Sequence, residues 1–196
     1  MSVEEAALWA ARARAEGPLS VPPGAPAPDG FVRLVEPGVT RAWWVPVGPD
    51  AVTPAALRDL RLTVPTLTHP NEAARVLAGC LRCCWTDLGS APWPGRAATV
   101  EAVLTVLTEL LPTRSPEMHQ RFAAEALRQL ADAGWLHWHE PTGVVRLGPR
   151  VVMWPASDVE ALRELCRTMP QAPESQAAEP QAPEPREAAD PAGADA

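Results

Sequence analysis

The prolines of this chain are unevenly placed, and their placement bounds what can fold. The sequence holds 24 prolines in 196 residues. One dense group lies in Gly17–Gly30, GPLSVPPGAPAPDG, and another follows Met169 in MPQAPESQAAEPQAPEPREAADPAGADA. Proline fixes φ and donates no backbone hydrogen bond, so such stretches read as linker or tail. Residues 17–30 are expected neither to pack nor to form regular hydrogen bonds. With a short Ala- and Arg-rich helix expected over Ala6–Glu16, they make a first region, 1–30. Residues 169–196 hold almost no large apolar side chain, cannot offset their ordering entropy, and are expected to be a disordered acidic tail. That leaves 31–168 as the folded domain, long enough to bury its own core.

Charge follows the same partition. The chain carries −7, from 17 basic and 24 acidic residues. Residues 169–196 contain six acids and Arg186, whereas 31–168 contain 14 acids and 14 arginines. The acidity therefore belongs to the ends, and the domain is neutral. No run of about 18 apolar residues occurs, which argues against a membrane-spanning helix. The first residues, with Glu4, Glu5, Arg12 and Arg14, lack the apolar stretch of a secretory signal. Four cysteines in a chain of this size do not make a disulfide scaffold. A cytoplasmic protein is expected.

Within 31–168, Phe31–Val35 and Thr40–Val47 are β-like runs around Glu36-Pro37-Gly38, a hairpin pattern. Thr53-Pro54 opens a short helix. Three longer helices are expected. The first runs from Asn71 to Leu88, with Ala74, Leu77, Leu81, Cys84 and Leu88 inward. The second runs from Thr99 to Leu111, with Val100, Val103, Leu104, Leu107, Leu110 and Leu111 at helical spacing. The third runs from Ser115 to Ala133, ended by Gly134, with Phe122, Ala126, Leu127, Leu130 and Ala133 inward. Trp135–Glu140 has alternating character, Pro141-Thr142-Gly143 is a turn, and Val144–Leu147 and Arg150–Trp154 are β-like. A last helix spans about Ser157–Arg167, with Val159, Leu162 and Leu165 on one side. The fold class is mainly α with small β-hairpins (α+β).

Three helices followed by a hairpin is the order of a winged helix-turn-helix, here over about 70–154. The stretch Ala131-Asp132-Ala133-Gly134-Trp135-Leu136, then Thr142-Gly143-Val144-Val145-Arg146-Leu147-Gly148-Pro149-Arg150-Val151, resembles the end of the recognition helix and the wing of bacterial winged helix-turn-helix regulators. The wing is similar to that of the IclR family of transcription factors. The chain departs from that family in lacking a large effector domain after the wing and in having a long second helix.

That resemblance implies a non-enzymatic regulator binding DNA through the third helix and wing. Its candidate DNA contacts are Arg114, Gln120, Arg121, Arg128, His137, His139, Arg146 and Arg150, with Arg96 beside the second helix. Against it stand Glu117, Glu125 and Asp132, which sit four residues from arginines and would meet phosphate badly. The alternative is a protein-interaction adaptor on the same scaffold, with Trp43 or Trp44 as a docking anchor. Adjacent strand residues point to opposite faces, so one of the two lies outside the core unless another element covers it. A homodimer through Val159, Leu162 and Leu165 is open to either reading.

No catalytic constellation is evident: there is no nucleophile elbow, phosphate loop, paired carboxylates or HExxH. Cys80-Leu81-Arg82-Cys83-Cys84 has a CxxC spacing, but Cys80 and Cys84 share the apolar stripe and read as core. His137-Trp138-His139 puts two imidazoles on one face, without a third ligand that the sequence forces into place. No metal and no cofactor are expected.

Overall fold

The computed structural model describes residues 3–36, 41–47, 54–62, 68–113, 115–171 and 173. These form α1 (Val3–Glu16), β1 (Leu19–Val21), β2 (Phe31–Val35), β3 (Ala42–Pro46), α2 (Pro54–Asp59), α3 (Pro70–Cys84), β4 (Ala98–Thr99), α4 (Val100–Leu110), α5 (Pro116–Asp132), β5 (Leu136–His139), β6 (Val144–Leu147) and α6 (Ala156–Thr168). The class is mixed α and β, with two small antiparallel sheets. None of the described helices is long and apolar enough to cross a membrane.

The first sheet has the order β1-β3-β2. Its hairpin pairs Phe31 with Pro46 and Val35 with Ala42, as the alternating pattern predicts; Pro37 and Gly38 lie outside the described residues, as does Thr53. The 17–30 segment departs from expectation. Leu19, Ser20 and Val21 pair with Trp44, Trp43 and Ala42, so this stretch supplies an edge strand. Leu19-Ser20-Val21 contains no proline and can complete a ladder, whereas Pro22, Pro23, Pro26 and Pro28 follow outside it.

The second unit runs from α3 to β6, with sheet order β4-β6-β5. β4 is two residues long, pairing Ala98 with Val145 and Thr99 with Val144, and the Val100 N–H extends it to the Gly143 carbonyl at 2.8 Å. Thr99 then caps α4, its hydroxyl oxygen accepting from the Ala102 N–H at 3.2 Å. Ser115 caps α5 in the same way through the Met118 N–H, with Pro116 at the first helical position. Gly134, at φ +76°, ends the turn after α5 in the left-handed region that glycine tolerates.

Helix phases need correction. α3 starts at Pro70 with His69 as cap rather than Asn71, and ends at Cys84 rather than Leu88. Its buried face is Ala73, Val76, Cys80, Leu81, Cys83 and Cys84, while Ala74 is exposed. In α4, Val106 is buried and Leu110 turns outward. In α5, His119 and Ala123 are buried and Phe122 only partly so. Each helix has a wider apolar arc than three neighbours can cover, and packing selects which part is used.

The 150–154 segment is not a strand. Pro149–Met153 is a 3-10 turn, because Gly148 and Pro149 end the ladder. α6 then packs on α3, with Val159, Leu162 and Cys166 against the core. Arg163 Nε donates to the Leu88 carbonyl at 2.6 Å, and Arg82 Nε to the Pro170 carbonyl at 3.0 Å. Val159 and Leu162, two of the three residues suggested for a dimer, are therefore spent within the chain.

Gly148 lies against the α5–β5 turn. A Cβ there would strike the Gly134 carbonyl oxygen and come within 2.8 Å of the Leu136 nitrogen, both backbone atoms. Gly148→Ala is expected to destabilise the chain by about 2–3 kcal/mol, in the range of overpacked interiors, read as a lower urea midpoint with unchanged slope.

Candidate functional site

The exposed side of α5 is the face that the sequence singles out. At its start, Glu117 is fully exposed, and its own backbone N–H and then the Ser115 hydroxyl hold its carboxyl below the usual range. Farther along, Arg128 Nη2 bonds Glu140 Oε1 at 3.0 Å and Nη1 lies 3.7 Å from Glu125 Oε2. The same guanidinium sits over the Trp138 ring at 5.7 Å. Gln129 donates to Glu125 Oε1 at 2.8 Å. Gln120 and Arg121 are exposed, and Arg121 forms no ion pair among the described residues. Arg121 also lines a groove of about 710 Å³ with Thr68, His69, Met118, Phe122 and Glu125. Met118 is 48% exposed there.

Arg150 is not a surface cation. It is 8% exposed, and its guanidinium donates to the Ala133 carbonyl at 2.9 Å, the Ala15 carbonyl at 3.0 Å and the Arg14 carbonyl at 3.2 Å. It also covers the Trp135 ring at 5.1 Å, and Trp135 stacks on Trp154. The reading of Arg150 as a phosphate contact is overturned: its donors are consumed by carbonyls at the C-terminal ends of α1 and α5. The 3-10 turn, which replaces the expected strand, carries this side chain inward.

The hairpin histidines part company. His139 is exposed, with Nδ1 2.7 Å from the Thr142 hydroxyl. His137 is half-buried beneath the first sheet. Its ring lies 5.8 Å from that of Trp43, and its Nε2 is 3.5 Å from Glu36 Oε2. Trp43 Nε1 also points to Glu36 Oε2 at 3.5 Å. Glu36 is 7% exposed, and both contacts are long for charge-assisted bonds. Burial first lowers the His137 pKa; Glu36 opposes this, and Arg41 and Arg146 add to it. Arg41 covers Trp43 at 5.6 Å, and Arg146 stands opposite His137 in the β5–β6 register.

Neither tryptophan is the free anchor suggested by sequence. Trp43 is buried against His137, and Trp44 is half-buried beside Phe31 at 6.5 Å. Both faces of β3 are thus occupied. Arg114 lies outside the described residues. Sequence reading missed Glu36 and Arg41, whose only signal was their place at the ends of adjacent strands.

All four cysteines are free thiols and buried. Burial pushes the Cys83 thiol up to about 11 and Cys84 to about 12, and raises Cys80 and Cys166. These thiols stay protonated and weakly nucleophilic at neutral pH. Among the described residues, no group of three or more His, Cys, Asp or Glu is placed to hold a metal ion. No family model, curated protein or solved structure matches the chain.

Arg150→Ala removes the donors of three inward carbonyls. It is expected to destabilise the chain by about 3 kcal/mol, and to expose α1 to limited proteolysis before the rest. For His137, the ordinary value is near 6.5 and the folded value lies lower. Between the two, the unfolded chain binds a proton that the folded chain resists, so stability falls as pH drops below about 6.5. The fall levels off below the folded value. Urea melts at about pH 7.5 and 5.5 are expected to differ more for the native chain than for His137→Gln.

Proposed function

We propose that residues 70–154 form a winged helix that acts as a protein-interaction module through α5, and not as a reader of duplex DNA. The fold reading is supported by the order helix, strand, helix, helix, hairpin. It is also supported by β4 pairing with the second hairpin strand to give β4-β6-β5. The role is one of binding, and no cofactor is required for it.

The observation that carries the reading is the outer face of α5. Arg128 is taken up by Glu125 and Glu140, Glu117 and Asp132 add exposed acids, and Arg121 stands beside Met118 at the groove. A DNA-reading face instead needs cations free to displace counterions from phosphate. The hairpin tip argues the same way. It is a 3-10 turn, Glu140–Thr142, that presents an acid, and the cation once expected at Arg150 is internal. A groove with apolar walls and one free guanidinium suits a protein segment with an apolar anchor and a carboxylate.

Fluorescence anisotropy of labelled duplex DNA with the full chain at low salt tests this. No binding is expected in the roughly 1–100 µM range of non-specific DNA binders. Micromolar binding that weakens steeply with salt and is lost in Arg121→Ala overturns the reading in favour of a DNA-binding regulator.

A further inference from the structure

In the first sheet, ordered β1-β3-β2, each outer strand has an open side. β1 is three residues long, with Pro18 before it and Pro22 after it, and short length and proline are the usual means of blunting an edge. β2 has five residues, Phe31–Val35, and no proline. The ladder fixes which of its backbone groups are free. The Val47 N–H donates to the Gly30 carbonyl at 2.8 Å, and the Glu36 N–H to the Arg41 carbonyl at 3.3 Å. Hydrogen-bonded pairs alternate along an antiparallel ladder. Val32 and Leu34 therefore turn their backbone toward β3, and Phe31, Arg33 and Val35 turn theirs outward. The Phe31 N–H is taken by the Pro28 carbonyl at 3.1 Å. The Phe31 carbonyl and both backbone groups of Arg33 and Val35 have no protein partner among the described residues. Beside them, Val32 is 43% and Val35 48% exposed. The single charge on the strand does not guard this edge. Arg33 Nη1 donates to the Pro23 carbonyl, so its guanidinium reaches back across β3 toward the far side of the sheet.

Free donors and acceptors in this pattern fit an extended backbone, and β2 itself supplies the complement. We propose that β2 pairs antiparallel with β2 of a second copy of this chain, Arg33 opposite Arg33, joining the two first sheets into one. In that register the Arg33 pair exchanges its N–H and C=O groups, and each Val35 N–H meets the other copy's free Phe31 carbonyl. The side chains select it. Val32 then lies opposite Leu34, and Val35 opposite Phe31, so both exposed valines gain an apolar neighbour. A slip of two residues one way sets Val32 against Glu36 and Val35 against Arg33; the other way sets Val35 against Asp29. Like charges directly opposite repel, but each guanidinium is drawn over its own sheet toward Pro23, in opposite directions about the twofold axis. The strand contributes five residues a side, against roughly 20–30 in a stable interface, so the dimer is a reversible one. The contact goes beyond the function proposed for the α5 groove and does not depend on it.

Sedimentation equilibrium of the full-length chain tests the contact. The weight-average mass is expected to rise by up to about twofold between roughly 10 µM and 1 mM protein. Val35→Pro removes an outward N–H and no bond to β3, the one kind of strand position where proline is tolerated. This variant is expected to keep the native urea midpoint and to remain monomeric over the same range. Arg33→Cys reads the register independently. Opposed residues of a hydrogen-bonded pair lie about 5.5 Å apart at Cα, inside the roughly 4.4–6.8 Å span of a disulfide. The native thiols are buried, so oxidised glutathione acts on the new one. Covalent dimer is expected to form faster from Arg33→Cys than from Leu165→Cys, a control on α6 at a residue 43% exposed. A chain that stays monomeric at every concentration overturns the proposal. So does a dimer that persists in folded Val35→Pro, or cross-linking favoured at Leu165→Cys, which moves the contact to α6.

Discussion

One guanidinium joins the parts of this structure. Arg150 reaches from the 3-10 turn after β6 to the last carbonyls of α1 and to the Ala133 carbonyl beyond α5. Helix C-termini leave carbonyls without intrahelical partners, and they carry the negative end of the helix dipole. A planar fork with several donors satisfies two such ends at once, which a lysine could not match. Burial lowers the Arg150 pKa, but an arginine remains charged under all ordinary conditions. The N-terminal helix and the α3–β6 unit are therefore held by a charged, hydrogen-bonded contact rather than by apolar area alone.

A second contact between the two parts has the opposite character. Trp43 over His137, with Glu36 buried beside both, combines an aromatic surface with a poorly solvated carboxylate and an imidazole held toward neutrality. The first contact is insensitive to pH, and the second titrates. Docking of the first sheet on the hairpin also redistributes charge at the surface. It hides Glu36 beside His137 and Trp43, and leaves Arg41 over the Trp43 ring.

Charge placement, more than fold, separates the two functional readings. The same helices and hairpin can carry either a DNA reader or a protein adaptor. What distinguishes them is the fate of each cation. Arg150 goes inward, Arg128 is divided between Glu125 and Glu140, and Arg121 stays free beside Met118. A partly apolar helix face with three acids against two arginines is a poor match for phosphate and a fair one for a protein partner.

Much of the architecture was legible in the sequence because it is written in local chemistry. The Thr99 and Ser115 caps, the Pro116 start, the Gly134 stop and the β2–β3 hairpin each depend on residues within a few positions of one another. Helix phase was less legible: Ala74 and Leu110 fit an apolar stripe yet face outward, since packing partners far along the chain choose the buried arc. The β1 strand was hidden by surrounding prolines, and the 3-10 turn at Pro149–Met153 by β-like composition. The site was least legible of all. Whether an arginine is a free cation depends on which carbonyls or carboxylates reach it, and Arg150 meets partners 135 and 136 residues away. The sequence by itself determined the caps and stops of α4 and α5, the β2–β3 hairpin and how charge divides between body and tail. The tertiary structure alone decided which charges are spent, because ion pairing and burial are properties of surfaces that meet only after the chain has folded.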